Sequence, residues 1–442
     1  MQYGFRPGRS CEHALLNAQN TILGSLNKKE VALLLLIDFS KAFDMVDHAI
    51  LLKKLYHYGI RGIVHKWFKS YLENRKQFVS VGGSDSGESD LTYGVPQGSI
   101  LGPILFIIYI NDLPEISKMA KFILYADDAN IIVSGVTIEE VYQKIQDLAG
   151  CLLKWVNCNG LALNLKKTKY MIFTRKRTYA EQSIRINNVL IERKSTEKFL
   201  GVIIDENMTW AQHISTIKSK MARYLGVMYK IRKYIPSKTR MQIFHSFVQS
   251  HLNYCSLVWG FAAKSHIDSL FRKQKSGIRA VMEGFVNFKY RDGIIPSHTK
   301  LTFKEMNVLT VQNVIVKNAL IFMHRIRNVP TLIPKSIRET IPSNAPTQNS
   351  THENCAPWLE IYEHAGPYYR TSVFYKGPLL AISPDSESIF DPACLASINI
   401  YKNYVKKYLL SLQSQGEDDE WPVFLLNNIA GLRKSSRIKS NQ

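Results

Sequence analysis

Two periods of apolar spacing run along the chain, and the change from one to the other divides it. Residues 31–37 form an unbroken apolar run that predicts a central strand buried on both faces, and the run ends in Asp38. Residues 122–133 carry two apolar runs separated by Ala126, Asp127 and Asp128, which predicts a strand, a tight turn and a returning strand. Helical spacing predicts helices over 12–22 behind an Ser10 cap, and over 48–58 between an Asp47 cap and Gly59. Further helices are predicted over 63–72, with Trp67 and Phe68 inward, over 100–110 and over 137–157. Short strands are predicted at 77–81 and 170–173, with a polar loop over 82–90, and small strand pairs at 183–191 and 198–205. This order predicts a mixed α/β sheet with helices on one face. From Trp210 onward the pattern is helical, over 213–234, 238–259 and 266–282. An aromatic stripe through those helices (Tyr224, Tyr229, Tyr234, Phe244, Tyr254 and Trp259) is expected to be core. Past residue 334 the chain turns rich in Ser, Pro and Asn, regains a helical pattern at 397–412 and ends in a basic stretch over 433–439.

Composition changes this picture in one respect. The 442 residues hold 57 Lys plus Arg against 36 Asp plus Glu, a formal charge of +21. Such an excess favours a polyanionic partner, nucleic acid or an anionic membrane surface, and says nothing of fold. The apolar runs fall well short of the ~20 residues that span a bilayer, so no membrane partner is expected. The six cysteines (Cys11, Cys151, Cys158, Cys255, Cys355 and Cys394) lack Cys-x-x-Cys spacing, which argues against a zinc knuckle or a disulfide framework. With no signal segment evident, an intracellular setting is expected.

Candidate chemistry begins with three carboxylates at strand ends. Asp127 and Asp128 adjoin each other at the tip of an apolar hairpin, where they repel one another and lose hydration. By itself an Asp-Asp pair is more often an acidic surface turn. With Asp38 ending another strand of the same sheet, the three can gather around hard cations, which take oxygen ligands. Two-metal phosphoryl transfer uses such a group, and nucleotidyl transfer onto a primer 3′ hydroxyl or metal-dependent nuclease chemistry would both fit. The glycine-rich basic loop over 2–10 and the turn around Pro96 and Gly98 could each hold phosphate through backbone N–H groups, or be ordinary connections. Asp44, Asp47, His48 and His57 are read as structural or solvent-facing.

The order of motifs goes further. Gly4-Phe5-Arg6, Ile37-Asp38-Phe39-Ser40-Lys41-Ala42-Phe43-Asp44, Gly94-Val95-Pro96-Gln97-Gly98-Ser99, Tyr125-Ala126-Asp127-Asp128, Asn164-Leu165-Lys166-Lys167-Thr168 and Phe199-Leu200-Gly201-Val202 follow one another along the chain. In this order they resemble the polymerase region of reverse transcriptases from non-long-terminal-repeat retrotransposons of the jockey-like type. The motifs span residues 2–205, and a weaker likeness continues through 254–260 and 274–279.

The resemblance implies a right-hand polymerase with an antiparallel palm sheet, partial fingers and an α-helical thumb. In outline, 1–30 would be residual fingers, 31–205 the palm, 206–334 thumb and connection, and 335–442 a segment of unknown role. It implies RNA-directed DNA synthesis from dNTPs on an RNA template and a DNA primer. Two Mg2+ ions, with Mn2+ as a substitute, would sit on Asp38 and Asp127, with Asp128 beside them. It implies that Phe43 blocks a ribose 2′-OH, that Gln97 and Gly98 lie against the incoming nucleotide, and that Arg6 clamps its triphosphate. Lys167 would give a proton to departing pyrophosphate, and Leu200 and Gly201 would grip the primer end. The setting implied is a ribonucleoprotein of nucleus and cytoplasm, with the element's own RNA-binding protein and an endonuclease domain as partners.

Departures from the pattern are expected to matter. Family members carry more fingers sequence before the Gly-Phe-Arg loop, and Ala129 stands where a hydroxyl residue often follows the paired aspartates. The expectation is therefore a 5′-truncated element copy. Its alternative is a catalytically silent remnant that at most binds nucleic acid through its basic helices. An RNA-dependent RNA polymerase is a third reading, disfavoured by Phe43.

Overall fold

The computed structural model describes residues 1–176, 182–282, 303, 306–328, 331, 333–338 and 398–415. It divides into two compact units, 1–195 and 196–442. The basic stretch over 433–439, Cys355 and Cys394 lie outside the described residues.

Burial on both faces explains the centre of the first unit. Strand β1 (Val31–Ile37) pairs antiparallel with β7 (Asp128–Gly135) on one side and β8 (Lys169–Phe173) on the other. With β6 (Ala120–Tyr125) and β11 (Glu192–Arg193) they form a five-stranded sheet of order β11-β8-β1-β7-β6, in which only the β11–β8 pair is parallel. Val31, Leu33, Leu35 and Ile37 enter one core together with Ile138, Val141 and Ile145 of α5 (Ile138–Cys158) and Phe106 of α4 (Leu101–Tyr109). Ala32 and Leu34 point the other way and are fully buried as well. Helix α1 (Cys11–Asn27) packs against β1, β6 and β7 on that side. The helices therefore cover both faces, which corrects the expectation of one. Each fully buried leucine contributes about 1.5–3 kcal/mol, and a strand buried on both sides has no polar face on which to place a charge until it leaves the sheet at Asp38.

Local signals set the helix starts. Ser10 accepts a hydrogen bond from His13 N–H, and Asp47 accepts one from Ile50 N–H at 2.9 Å to open α2 (His48–His57). Thr137 caps α5 by accepting from Glu140 N–H, while Glu140 returns a carboxylate oxygen to Val136 N–H at 2.8 Å. The second helix of the pair, α3 (Gly62–Leu72), departs from expectation, because Trp67 stays 53% exposed and stacks on Tyr71 while only Phe68 packs partly inward. The segment expected as a strand and a polar loop is a double hairpin. β2 (Arg75–Gln77) pairs with β5 (Ser89–Leu91), and inside it β3 (Ser80–Val81) pairs with β4 (Ser84–Asp85). Between β8 and β11 a small hairpin joins β9 (Arg185–Ile186) to β10 (Val189–Leu190).

The second unit opens with the hairpin β12 (Thr196–Phe199) and β13 (Val202–Asp205). Asp205 then receives backbone N–H bonds from Asn207, Thr209 and Trp210, which turns the chain into α6 (Ala211–Ile231). Helices follow: α7 (Ser237–Phe244), a π-turn over His245–Gln249, α8 (Ser250–Asn253), α9 (Ser256–Trp259) and α10 (Lys264–Val281). α11 (Val311–Asn328) packs on α10 and on α12 (Ile398–Gln415). Gln274 is fully buried with its amide satisfied, donating to Gln249 Oε1 and Leu309 O and accepting from Val311 N–H. The aromatic stripe divides. Phe244 and Trp259 are core, whereas Tyr229, Tyr234 and Tyr254 are exposed, by 41, 85 and 43%. Among the described residues no helix is long and apolar enough to cross a membrane.

Candidate active site at the end of the central sheet

Register brings the acidic residues together. The last paired residues of β1 and β7 are Ile37 and Ala129, so Asp38 and Asp128 follow at the same end of adjoining strands. Across the hairpin, Tyr125 pairs with Asp128, leaving Ala126 and Asp127 as its two-residue turn. Ala126 takes φ +52, the left-handed region that such tight turns require and that a Cβ makes costly. Asp127 and Asp128 are exposed and Asp38 is half-buried. Desolvation at this crowded end, then the charges of Asp127 and Asp38, push the Asp128 carboxyl up to about 6.

A second strand-like segment delivers the cation. Phe39 bridges to Leu163, Ser40 N–H donates to Ala162 O, and Asn164 N–H donates to Asp38 O at 2.8 Å. Asn164 then accepts from the N–H groups of Lys167 and Thr168, and this turn carries the Lys167 ammonium to 3.7 Å from Asp38 Oδ2. The Lys167 side chain is 71% exposed, so this ion pair by itself adds little stability. It does place an ammonium group beside the acidic residues.

The Gly94–Ser99 loop is stitched to the segment after Asp38. Val95 N–H donates to Phe43 O, Gly94 N–H donates to Val46 O, and His48 Nε2 lies 2.7 Å from Gly94 O. Gln97 reaches back, donating to Asp44 Oδ1 at 2.9 Å, and Gly98 follows at φ +80, both exposed. Phe43 is half-buried and stacks on Phe106, with ring centroids 4.4 Å apart, and meets Phe5 edge-on at 6.5 Å.

At the hairpin tip the Gly4-Phe5-Arg6 loop backs onto the turn. A Cβ on Gly4 would lie 2.4 Å from Ala126 N, so only glycine permits this approach. Arg6 is exposed. Residues 1–3 pair with β6, with Tyr3 N–H donating to Leu124 O at 2.8 Å and Leu124 N–H donating to Met1 O. Gln2, which the sequence distinguishes only as part of the loop over 2–10, is 5% exposed and its amide meets Ala126 directly. Its one sequence signal was a polar residue just ahead of a glycine loop.

Leu200 and Gly201 belong to the second unit. They form the turn between β12 and β13 at φ +45 and +82. Tyr254 donates its hydroxyl to Leu200 O at 2.8 Å, and its ring would stand 3.1 Å from a Cβ on Gly201.

The carboxylates are hard oxygen donors, and their mutual repulsion at Asp128 is the kind that a divalent cation relieves, so the donor chemistry fits such an ion. Among the described residues, however, no three His, Cys, Asp or Glu side chains close into a ready metal-binding group.

Comparison with known proteins then decides the family. Residues 1–228 match the family model described as reverse transcriptase (RNA-dependent DNA polymerase). The chain belongs to the reverse transcriptase family. Among its relatives are the probable RNA-directed DNA polymerase from transposon X-element and the RNA-directed DNA polymerase from mobile element jockey, both of Drosophila melanogaster. Each is 28% identical, over 63% of this chain and 31% of the relative. The probable RNA-directed DNA polymerase from transposon BS of the same fly is 27% identical over 76% of this chain and 37% of the relative. These relatives make it a jockey-like, non-long-terminal-repeat reverse transcriptase, as the motif order implied. The chain spans about a third of the length of the curated relatives it matches. Among solved structures, telomerase from Candida tropicalis in complex with a telomeric RNA fragment gives a TM-score of 0.37 at 11% identity, over 89% of this chain and 51% of the telomerase. That likeness is too loose to fix the arrangement of the elements.

Proposed function

We propose that this reverse transcriptase chain carries the polymerase centre of a mobile element and extends a DNA primer on an RNA template with dNTPs. The observation that carries the reading is the strand register that sets Asp38, Asp127 and Asp128 at one end of one sheet, with Lys167 beside them. In this reading the central sheet is the palm, the 1–30 segment is residual fingers, and the helices after Trp210 form the thumb.

Asp38 and Asp127 would hold divalent cations, Mg2+ or Mn2+, with Asp128 adding charge beside them. Bound there, the ions would acidify the primer 3′ hydroxyl and steady the departing pyrophosphate oxygens. Lys167 supplies a proton to that leaving group, a role that needs reach more than an unusual pKa. Phe43, braced by Phe106, sits beneath the sugar and leaves no room for a 2′-OH. Exclusion of this kind replaces the hydrogen bond by which proteins usually sense that group. Gln97 and Gly98 line the nucleotide, Arg6 binds its triphosphate as a planar cation, and Leu200 with Gly201 takes the primer end. The charge of +21 supports a nucleic-acid partner.

The test is primer extension on an RNA template, with and without divalent cation. Extension that depends on the ion and on dNTPs supports the reading. A second reading, a binding protein without catalysis, draws support from the finding that, among the described residues, no three His, Cys, Asp or Glu side chains form a ready metal-binding group. Tight RNA binding with no extension in any divalent ion would favour it.

A further inference from the structure

Gln2 holds a residue of the site that has a left-handed backbone, Ala126 at φ +52. Its side-chain amide is 5% exposed and sits against the turn that carries Asp127 and Asp128, 124 residues along the chain. Gln2 Oε1 accepts from Ala126 N–H at 3.0 Å and from Gly4 N–H at 2.8 Å, while Nε2 reaches Ala126 O at 3.4 Å. One amide thus serves both polar groups of Ala126 as a neighbouring strand would. It does so where the ladder stops, because Tyr125 opposite Asp128 is the last pair of the hairpin.

Ala126 needs that support for two reasons. A non-glycine residue at φ +52 is unfavourable in isolation and persists only where its surroundings hold it. Ala126 is also buried, at 7% exposed, and a buried backbone group without a partner is costly. The glycine at position 4 brings the Gln2 segment close enough, because any Cβ there would collide with Ala126 N. Tyr3, between them, is anchored by accepting a hydrogen bond at its hydroxyl from Asn17 Nδ2 at 2.8 Å, which ties the clamp to α1.

We propose that Gln2 is a positioning residue that fixes the conformation of Ala126 and, through it, the direction of the Asp127 and Asp128 carboxylates. The inference rests on the polymerase reading for its kinetic consequence and not for its structural one. Gln2 touches no reacting atom. Its effect falls on the placement of the acidic group, so it belongs to turnover and not to nucleotide affinity.

The experiment uses the full chain with Gln2→Met, which keeps the side chain's length and apolar stem but neither hydrogen-bonding atom. Hydrogen exchange at the amides of 126–128 is measured first, with the amides of α5 as an internal control for folding. Faster exchange confined to 122–130 is expected, and exchange identical to the parent chain overturns the clamp. Primer extension is read next. kcat is expected to fall about tenfold to a hundredfold, the scale on which a small misplacement of reacting groups acts, while KM for dNTP changes less than threefold. A rise in KM at constant kcat overturns the positioning role. The double variant Gln2→Met with Ala126→Gly is the rescue: glycine adopts positive φ without the Cβ cost, so part of the lost kcat returns. No recovery, with α5 exchange intact in both variants, counts against the clamp. Should the parent chain prove inert, the polymerase reading fails and hydrogen exchange alone decides the role of Gln2.

Discussion

The packing around Phe43 bears on its proposed role in sugar selection. Stacked on Phe106 and met edge-on by Phe5, its ring has little freedom to swing aside. Phe43→Ala is therefore expected to relax ribonucleotide exclusion about tenfold or more while leaving dNTP use nearly unchanged. Competitive incorporation of rNTP against dNTP measures it, and an unchanged ratio removes Phe43 from sugar selection. Phe106→Leu should shift the same ratio in the same direction, by less. Gly4 makes a different demand. Gly4→Ala forces a methyl group into the backbone of Ala126, and a loss of about 1–3 kcal/mol is expected from such overpacking. Urea denaturation reads it, and a variant as stable as the parent would show that the loop can shift away. The positions of Asp38 and Asp127 at strand ends were legible because each follows a patterned apolar run, whereas Phe43 was singled out only through the motif resemblance. Gln2 was legible in neither way. A hydrogen bond to a residue 124 positions away leaves no periodicity in the chain.

At the scale of elements, what sequence patterning reveals is burial, and what it hides is which face meets which neighbour. The run at 31–37 announced a strand buried on both sides, and the hairpin at 120–135 announced its turn, because both are decided by local composition. The double hairpin over 75–91 was missed, since its strands are two or three residues long and almost wholly exposed, with no apolar alternation to read. Trp67 was misplaced for a related reason. Its helix has apolar residues on more than one stripe, and periodicity does not say which stripe is covered. In the second unit the first turn of α6 carries His213, 5% exposed, whose Nδ1 accepts from Ile203 N–H at 3.3 Å and whose ring meets Trp259 edge-on. Burial, then the nearby cations Lys220 and His251, lowers its pKa to about 4. The neutral ring is thus favoured in the folded chain, and the unfolded chain takes up a proton first as pH falls. Stability from this group is whole above about pH 6.5 and is lost on the way down to about 4, by roughly 3 kcal/mol. Thermal unfolding of the second unit's signal between pH 7 and pH 4 should fall more steeply for the parent than for His213→Gln. Parallel slopes would contradict the assignment.

For the whole molecule, the net charge of +21 is the property that reaches furthest from any one site. Lys and Arg residues on the exposed faces of α6 and α10 suit phosphates better than any pocket would, because backbone contact is additive and needs no enclosure. If six to ten phosphates are neutralised, affinity for RNA should fall about 10³–10⁵-fold between 50 and 200 mM salt. A flat salt response would mean that the charge serves something other than nucleic acid. Asp127→Asn removes one negative charge from a chain with a large positive excess, so its effect on binding should be small. The measurement that bears most directly on the central claim pairs those two readings: primer extension and RNA binding by the parent chain and by Asp127→Asn, in the same buffer with Mg2+. The account predicts extension by the parent, none detectable by the variant, and RNA affinities within about twofold of each other. Extension by Asp127→Asn at the parent's rate would contradict it, because the carboxylates at the sheet end would then have no part in the chemistry.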